Sequence, residues 1–115
     1  LELRLPELAG LDLHGKLLAL FGTGDAVGYP DTYLDALALV DDALTTTGVE
    51  RIGDWPTAGY SFVESLARQG DHFIGLGVDE DNEPELTDER VAGWVKKVLA
   101  DYAEVEPKLR LLPAG

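Results

Sequence analysis

L-L-A-L-F-G-T-G-D-A-V-G-Y-P-D-T-Y-L-D, residues 17–35, is the stretch on which the reading turns. A short apolar run ends in Gly22 and Gly24. An acidic loop with Asp25, Gly28 and Tyr29 follows, and then an amphipathic stretch begins. An uninterrupted apolar run bounded by glycines fits a strand covered on both faces. Open α/β sheets place ligands at the loop leaving the carboxyl end of such a strand. The loop holds no Lys or Arg that could grip a phosphate. Its residue types suit a flat, polar, aromatic group met edge-on and face-on.

Working outward, Asp31 is the expected cap of the next helix. Leu34, Leu37, Val40 and Leu44 recur near helical spacing, and Gly48 is the expected stop. A second strand is expected over residues 49–52 and a third over 73–78. The long segment between them, residues 53–70, carries Trp55, Tyr60 and Phe62 and is expected to pack on itself or on a partner. Thr87 is the expected cap of the last helix, with Asp88 and Glu89 in the first turn, where the helix dipole favours negative charge. Val91, Trp94, Val95, Val98, Leu99 and Tyr102 then form one apolar face. Pro107 marks the expected latest end of that helix, and residues 103–115 are expected to form a flexible tail. Upstream, residues 1–5 (L-E-L-R-L) alternate like a short strand, Pro6 breaks the pattern, and residues 8–15 read as a loop or helix end.

These elements predict a single α/β layered domain over residues 1–115 with right-handed crossovers. They are too few to cover every apolar strand. An unfilled sheet edge is therefore expected, to be filled by a missing part, a partner or self-association. The chain opens on Leu1 rather than Met, which adds the expectation that an upstream part has been removed.

The net charge of −13, from 22 acidic and 9 basic residues among 115, argues against nucleic acid and anionic membranes as partners. It suits either plain solubility or docking on a basic protein face. The sequence has no cysteine, hence no disulfide framework and no thiolate metal site. It has no long apolar span and no visible secretory signal, which sets a cytoplasmic expectation.

Gly22 and Gly24 give G-x-G without a third glycine or a P-loop Lys, a weak phosphate motif. The same residues suit a tight turn leaving a strand, or a backbone edge that hydrogen-bonds a heterocycle. Tyr29, held between Gly28 and Pro30, can stack on a ligand ring or cover the helix start. Asp79, Glu80, Asp81 and Asn82 suggest a cation loop, yet Pro84 stands where the EF-hand needs glycine and Arg90 where it needs glutamate. A solvated acidic turn fits better. His14, His72, Ser61 and Ser65 belong to no catalytic or metal pattern, so no enzyme chemistry is read from the chain.

Three motifs in order resemble one family. Residues 19–37, A-L-F-G-T-G-D-A-V-G-Y-P-D-T-Y-L-D-A-L, are similar to the second flavin-binding loop of flavodoxins. Residues 53–67, G-D-W-P-T-A-G-Y-S-F-V-E-S-L-A, resemble the inserted loop of long-chain flavodoxins. Residues 73–95, F-I-G-L-G-V-D-E-D-N-E-P-E-L-T-D-E-R-V-A-G-W-V, resemble their last strand and helix. The resemblance implies a flavodoxin-like three-layer sandwich with a parallel sheet, here truncated. It implies a low-potential electron carrier with FMN as redox group and basic-faced redox partners such as a reductase. It places Tyr29 against the flavin ring, Gly22, Thr23, Gly24, Asp25 and Gly28 along its edge, and Asp81 nearby. Negative charge around the ring makes its last reduction harder. The family's N-terminal phosphate loop has no counterpart here. FMN is therefore expected to bind this chain weakly or not at all. The alternative expectation is a non-redox interaction module, monomeric or homodimeric, that binds protein through the aromatic loop 55–62.

Overall fold

The computed structural model describes residues 5–109. The strand period at residues 1–5 falls outside them except for Leu5, which opens a short helix, α1 (Leu5–Leu8). Pro6 is compatible with that helix because the first turn needs no internal N–H bond.

The decisive apolar run forms two short strands in line, β1 (Leu17–Ala19) and β2 (Phe21–Thr23), where a single strand was expected. β1 pairs in parallel with β3 (Glu50–Ile52), and β2 in parallel with β7 (Leu76–Val78). The Glu50 N–H donates to the Lys16 carbonyl, the Leu76 N–H to the Leu20 carbonyl, and the Gly24 N–H to the Val78 carbonyl. In a strand, alternate residues direct their backbone groups to the same edge. Residues 16, 20 and 24 share parity, so β3 and β7 lie along one edge of the β1–β2 run. The backbone groups of Leu17, Ala19, Phe21 and Thr23 point to the opposite edge, where no strand pairs among the described residues.

The expected third strand over 73–78 is also divided. The segment between β3 and β7 folds into a small antiparallel sheet of β4 (Trp55–Pro56), β5 (Arg68–Gln69) and β6 (His72–Phe73), with β6 in the middle. Pairings this short carry no legible period-two pattern, so the sequence gives no sign of them. Its aromatics turn inward. Phe73 is fully buried, its ring 5.1 Å from those of both Tyr60 and Phe62, and Tyr33 joins the cluster.

Two helices cover opposite faces. α2 (Asp35–Ala43) packs Leu37 against the strand run, on the face of Leu20 and Gly22. α3 (Thr87–Leu109) lies on the face of Phe21, whose ring is 6.0 Å from that of Trp94. Helix, sheet and helix give the expected three layers. Asp31 does not cap α2: the helix starts four residues later, after Leu34 in a left-handed conformation at φ 61° with no side-chain cap. Burial of Tyr33 and Leu34 holds that turn. Beyond α2 a 3-10 turn (Thr45–Thr47) runs to Gly48, whose φ of 81° makes it the stop.

Thr87 is not a cap either. α3 continues from a 3-10 turn (Pro84–Leu86), and the Thr87 hydroxyl is buried without a hydrogen-bond partner. Nor does the helix end at residue 103. α3 runs through Pro107 to Leu109, because a proline in the final turn removes one N–H bond while the earlier turns stay intact. Residues 110–115 lie outside the described ones. No helix is long and apolar enough to cross a membrane among the described residues.

Candidate cofactor site

The site lies where β2 and β7 both end. Gly24 must be glycine, since a Cβ there would stand 2.7 Å from the Tyr33 ring. The chain then turns around the Asp25 side chain. One Asp25 carboxylate oxygen accepts the Val27 N–H at 3.1 Å and the Gly28 N–H at 2.7 Å, while the Tyr29 N–H donates to the Asp25 carbonyl at 2.9 Å. A Cβ on Gly28 would come within 2.5 Å of that carboxylate. The turn delivers Tyr29 to the rim, where the residue is 69% exposed. Behind it, the Pro30 carbonyl accepts the N–H groups of Val63 and Glu64 at 2.8 and 3.0 Å, tying the loop to the inserted segment.

The second wall is the turn after β7. Asp79 is 1% exposed. Its carboxylate accepts the Ala26 N–H at 3.0 Å and the Asn82 N–H at 3.0 Å. The Asn82 side-chain amide donates to both Asp79 oxygens and, at 2.8 Å, to Asp25 across the two loops. Burial works to raise the Asp79 pKa, but the hydrogen bonds from Asn82 and Ala26 outweigh it and the carboxyl lies below its usual range. Asp25 is also lowered, first by the Gly28 N–H and then by Asn82. Both therefore remain anionic at neutral pH.

Thr23, Gly24, Asp25, Tyr29 and Asp81 meet around one cavity of about 480 Å³, together with Thr32, Tyr33, Leu34, Asp35, Ala36 and Glu80. Gly22 and Gly28 stand outside this lining. Gly22 faces α2, where a Cβ would lie 3.2 Å from Leu37, and Gly28 makes room for the Asp25 carboxylate. Sequence reasoning missed Asp79 and Asn82 as structural links. The available signal was an amide, Asn82, inside the acidic run D-E-D-N. Arg90 was missed as well. Only 8% exposed, it sits 3.9 Å over the Tyr60 ring, pairs with Glu83 at 3.2 Å and donates to the Gly59 carbonyl at 3.1 Å. It thereby fastens the inserted segment to α3. No group of side chains suited to a metal ion occurs among the described residues.

The cavity fits a flat heterocycle with polar edges. Tyr29 offers a ring face, and the Thr23–Asp25 backbone and the carboxylates border it. None of the lining residues is Lys, Arg or His, so no side-chain cation stands ready for a phosphate.

Comparison with known proteins gives the family. The flavodoxin family profile matches residues 1–94. A flavodoxin of Picosynechococcus is 46% identical over 92 residues, covering 80% of this chain and 54% of the relative. Flavodoxin 1 of Salmonella typhimurium is 48% identical over 97 residues, covering 84% and 55%. The crystal structure of Fusobacterium nucleatum flavodoxin bound to flavin mononucleotide superposes with a TM-score of 0.79 at 28% identity, covering 84% of this chain and 58% of that one. The chain thus spans little more than half the length of the relatives it matches.

Proposed function

Because the chain belongs to the flavodoxin family, we propose that it supplies the ring-facing half of an FMN site in a low-potential electron carrier of the flavodoxin type. The observation that carries the reading is the convergence of Thr23, Gly24, Asp25, Tyr29 and Asp81 on one cavity, with Tyr29 exposed at its rim. FMN, when bound, supplies a ring that accepts and releases electrons. Tyr29 would stack on it, the Thr23–Gly24 backbone would meet its polar edge, and Asp25, Glu80 and Asp81 would surround it with negative charge. Adding an electron to a ring among fixed anions is unfavourable, which lowers the potential. Gly22 and Gly28 act at one remove, Gly22 by letting α2 approach and Gly28 by letting Asp25 form its turn.

The carrier's full activity is proposed to need the part of the fold that this chain does not span, and FMN is held weakly here for want of phosphate ligands. The charge of −13 supports docking on a basic-faced redox partner such as a reductase. Self-association through the open edge of β1–β2 and the cytoplasmic setting expected from the sequence belong to the same proposal. The chain acts as a carrier rather than as a catalyst in its own right. The rival, an interaction module using residues 55–62, is not favoured, because Tyr60 and Phe62 are engaged in the interior.

A spectroelectrochemical titration of the flavin-loaded chain tests the reading. A flavin potential below that of the free flavin supports it, and an unshifted potential overturns it.

A further inference from the structure

We propose that the cavity of this chain selects for the uncharged flavin ring system against its phosphate ester, so that a phosphate-free flavin such as riboflavin binds more tightly than FMN. The inference rests on the flavin reading above and adds an order of preference to it.

Four acidic residues line the cavity, Asp25, Asp35, Glu80 and Asp81, and no basic side chain stands among them; the Asp35 carboxylate accepts the Leu66 N–H at 2.8 Å. Asp79 lies directly behind, 1% exposed and bonded to the Ala26 N–H. The Asp25 and Asp79 carboxylates are held in place. Asn82 joins Asp25 and Asp79 through hydrogen bonds of 2.8 to 3.0 Å, and the N–H groups of Val27 and Gly28 hold the Asp25 carboxylate from the other side. An amide bridge contributes donors but no positive charge, so it orders the carboxylates without neutralising them. The nearby guanidinium of Arg90 is committed to Glu83 and the Gly59 carbonyl.

A riboflavin ring meets Tyr29 and the backbone edge in the same way as an FMN ring does. The two ligands differ by a phosphate of nearly two negative charges, carried on a flexible chain attached to the ring. At 0.1 M salt the Debye length is about 10 Å, so the field of the acidic lining acts on a phosphate tethered to the ring by that short chain. Repulsion is weak per pair, but it sums over the acidic lining and grows as salt is removed. A preference of roughly fivefold for riboflavin is expected at about 20 mM salt, shrinking towards parity near 0.5 M.

Quenching of flavin fluorescence by the purified chain, titrated with riboflavin and with FMN at both salt concentrations, reads this directly. Tighter riboflavin binding at low salt, with the ratio collapsing at high salt, is the expected result. The variant Glu80→Lys places a cation at the exposed rim and is expected to narrow the low-salt ratio. FMN binding as tightly as riboflavin or more tightly at low salt, or a ratio indifferent to salt and to Glu80→Lys, overturns the selectivity while leaving the flavin site standing. Binding of neither flavin overturns the flavin reading and this inference with it.

Discussion

At the residue scale, the site is built by side chains that fold the loops more than by side chains that point at a ligand. Asp25 was legible as an acidic loop residue, but its partners were not, because Asn82 lies 57 positions away in sequence. Asp79 shows the energetics. Its pKa is depressed in the folded chain, so its stabilising effect is present above the ordinary carboxylate pKa and is lost as pH falls through the lower folded value. Asp79→Asn should cost about 1–3 kcal/mol at pH 7. The gap between variant and parent in urea unfolding should shrink steadily as pH drops below about 4. Gly75 makes a second case. A Cβ there would run into the Leu20 carbonyl, which is backbone and cannot step aside. Gly75→Ala should therefore destabilise by about 2 kcal/mol or more in the same assay. Gly59, with nothing within reach of a Cβ, tests the contrast through Gly59→Ala, where the strain comes from its φ of 86° alone and a smaller loss is expected.

At the scale of elements, periodicity located α3 and the apolar run correctly but misjudged their ends. Pattern reports where an apolar face lies, whereas helix starts and strand breaks depend on tertiary bonds. The division of β1 from β2, and of β6 from β7, follows from a change of partner along one strand, which leaves no local mark. The last helix is fixed to Gly53, the residue after β3, by polar contacts that no pattern could reveal. The Trp94 indole N–H donates to the Gly53 carbonyl at 2.7 Å, and Asp101 accepts the Gly53 N–H at 2.9 Å while meeting Lys97 at 2.6 Å. Trp94→Phe would keep most of the apolar contact and leave that carbonyl unpaired. A loss of about 1–2 kcal/mol in thermal or chemical unfolding is expected, with the helical circular dichroism signal unchanged at low temperature.

At the scale of the whole molecule, the expectation of an unfilled edge came from counting elements, and the parity of backbone bonds locates it on the Leu17–Thr23 run. Phe21 is 70% exposed there, and Val91, Val95, Leu99 and Tyr102 on α3 share its exposure. That apolar face was legible as periodicity, but its exposure was not, since a sequence pattern cannot say whether a face is covered. A parallel edge with adjoining apolar surface invites pairing. The chain should self-associate with rising concentration in sedimentation velocity, and Phe21→Lys should shift it towards monomer. A monomer at every concentration would remove the edge from the list of contacts.

The central claim is that the chain holds the ring-facing half of a flavin site, with Tyr29 as its stacking face. Titration of riboflavin with the parent chain and with Tyr29→Ala, followed by quenching of flavin fluorescence, tests it most directly. Weak, saturable, one-to-one quenching by the parent chain is expected, with at least a tenfold loss of affinity in Tyr29→Ala, of the order of 1.4 kcal/mol. Quenching that is absent from the parent chain, or that survives unchanged in Tyr29→Ala, would contradict it.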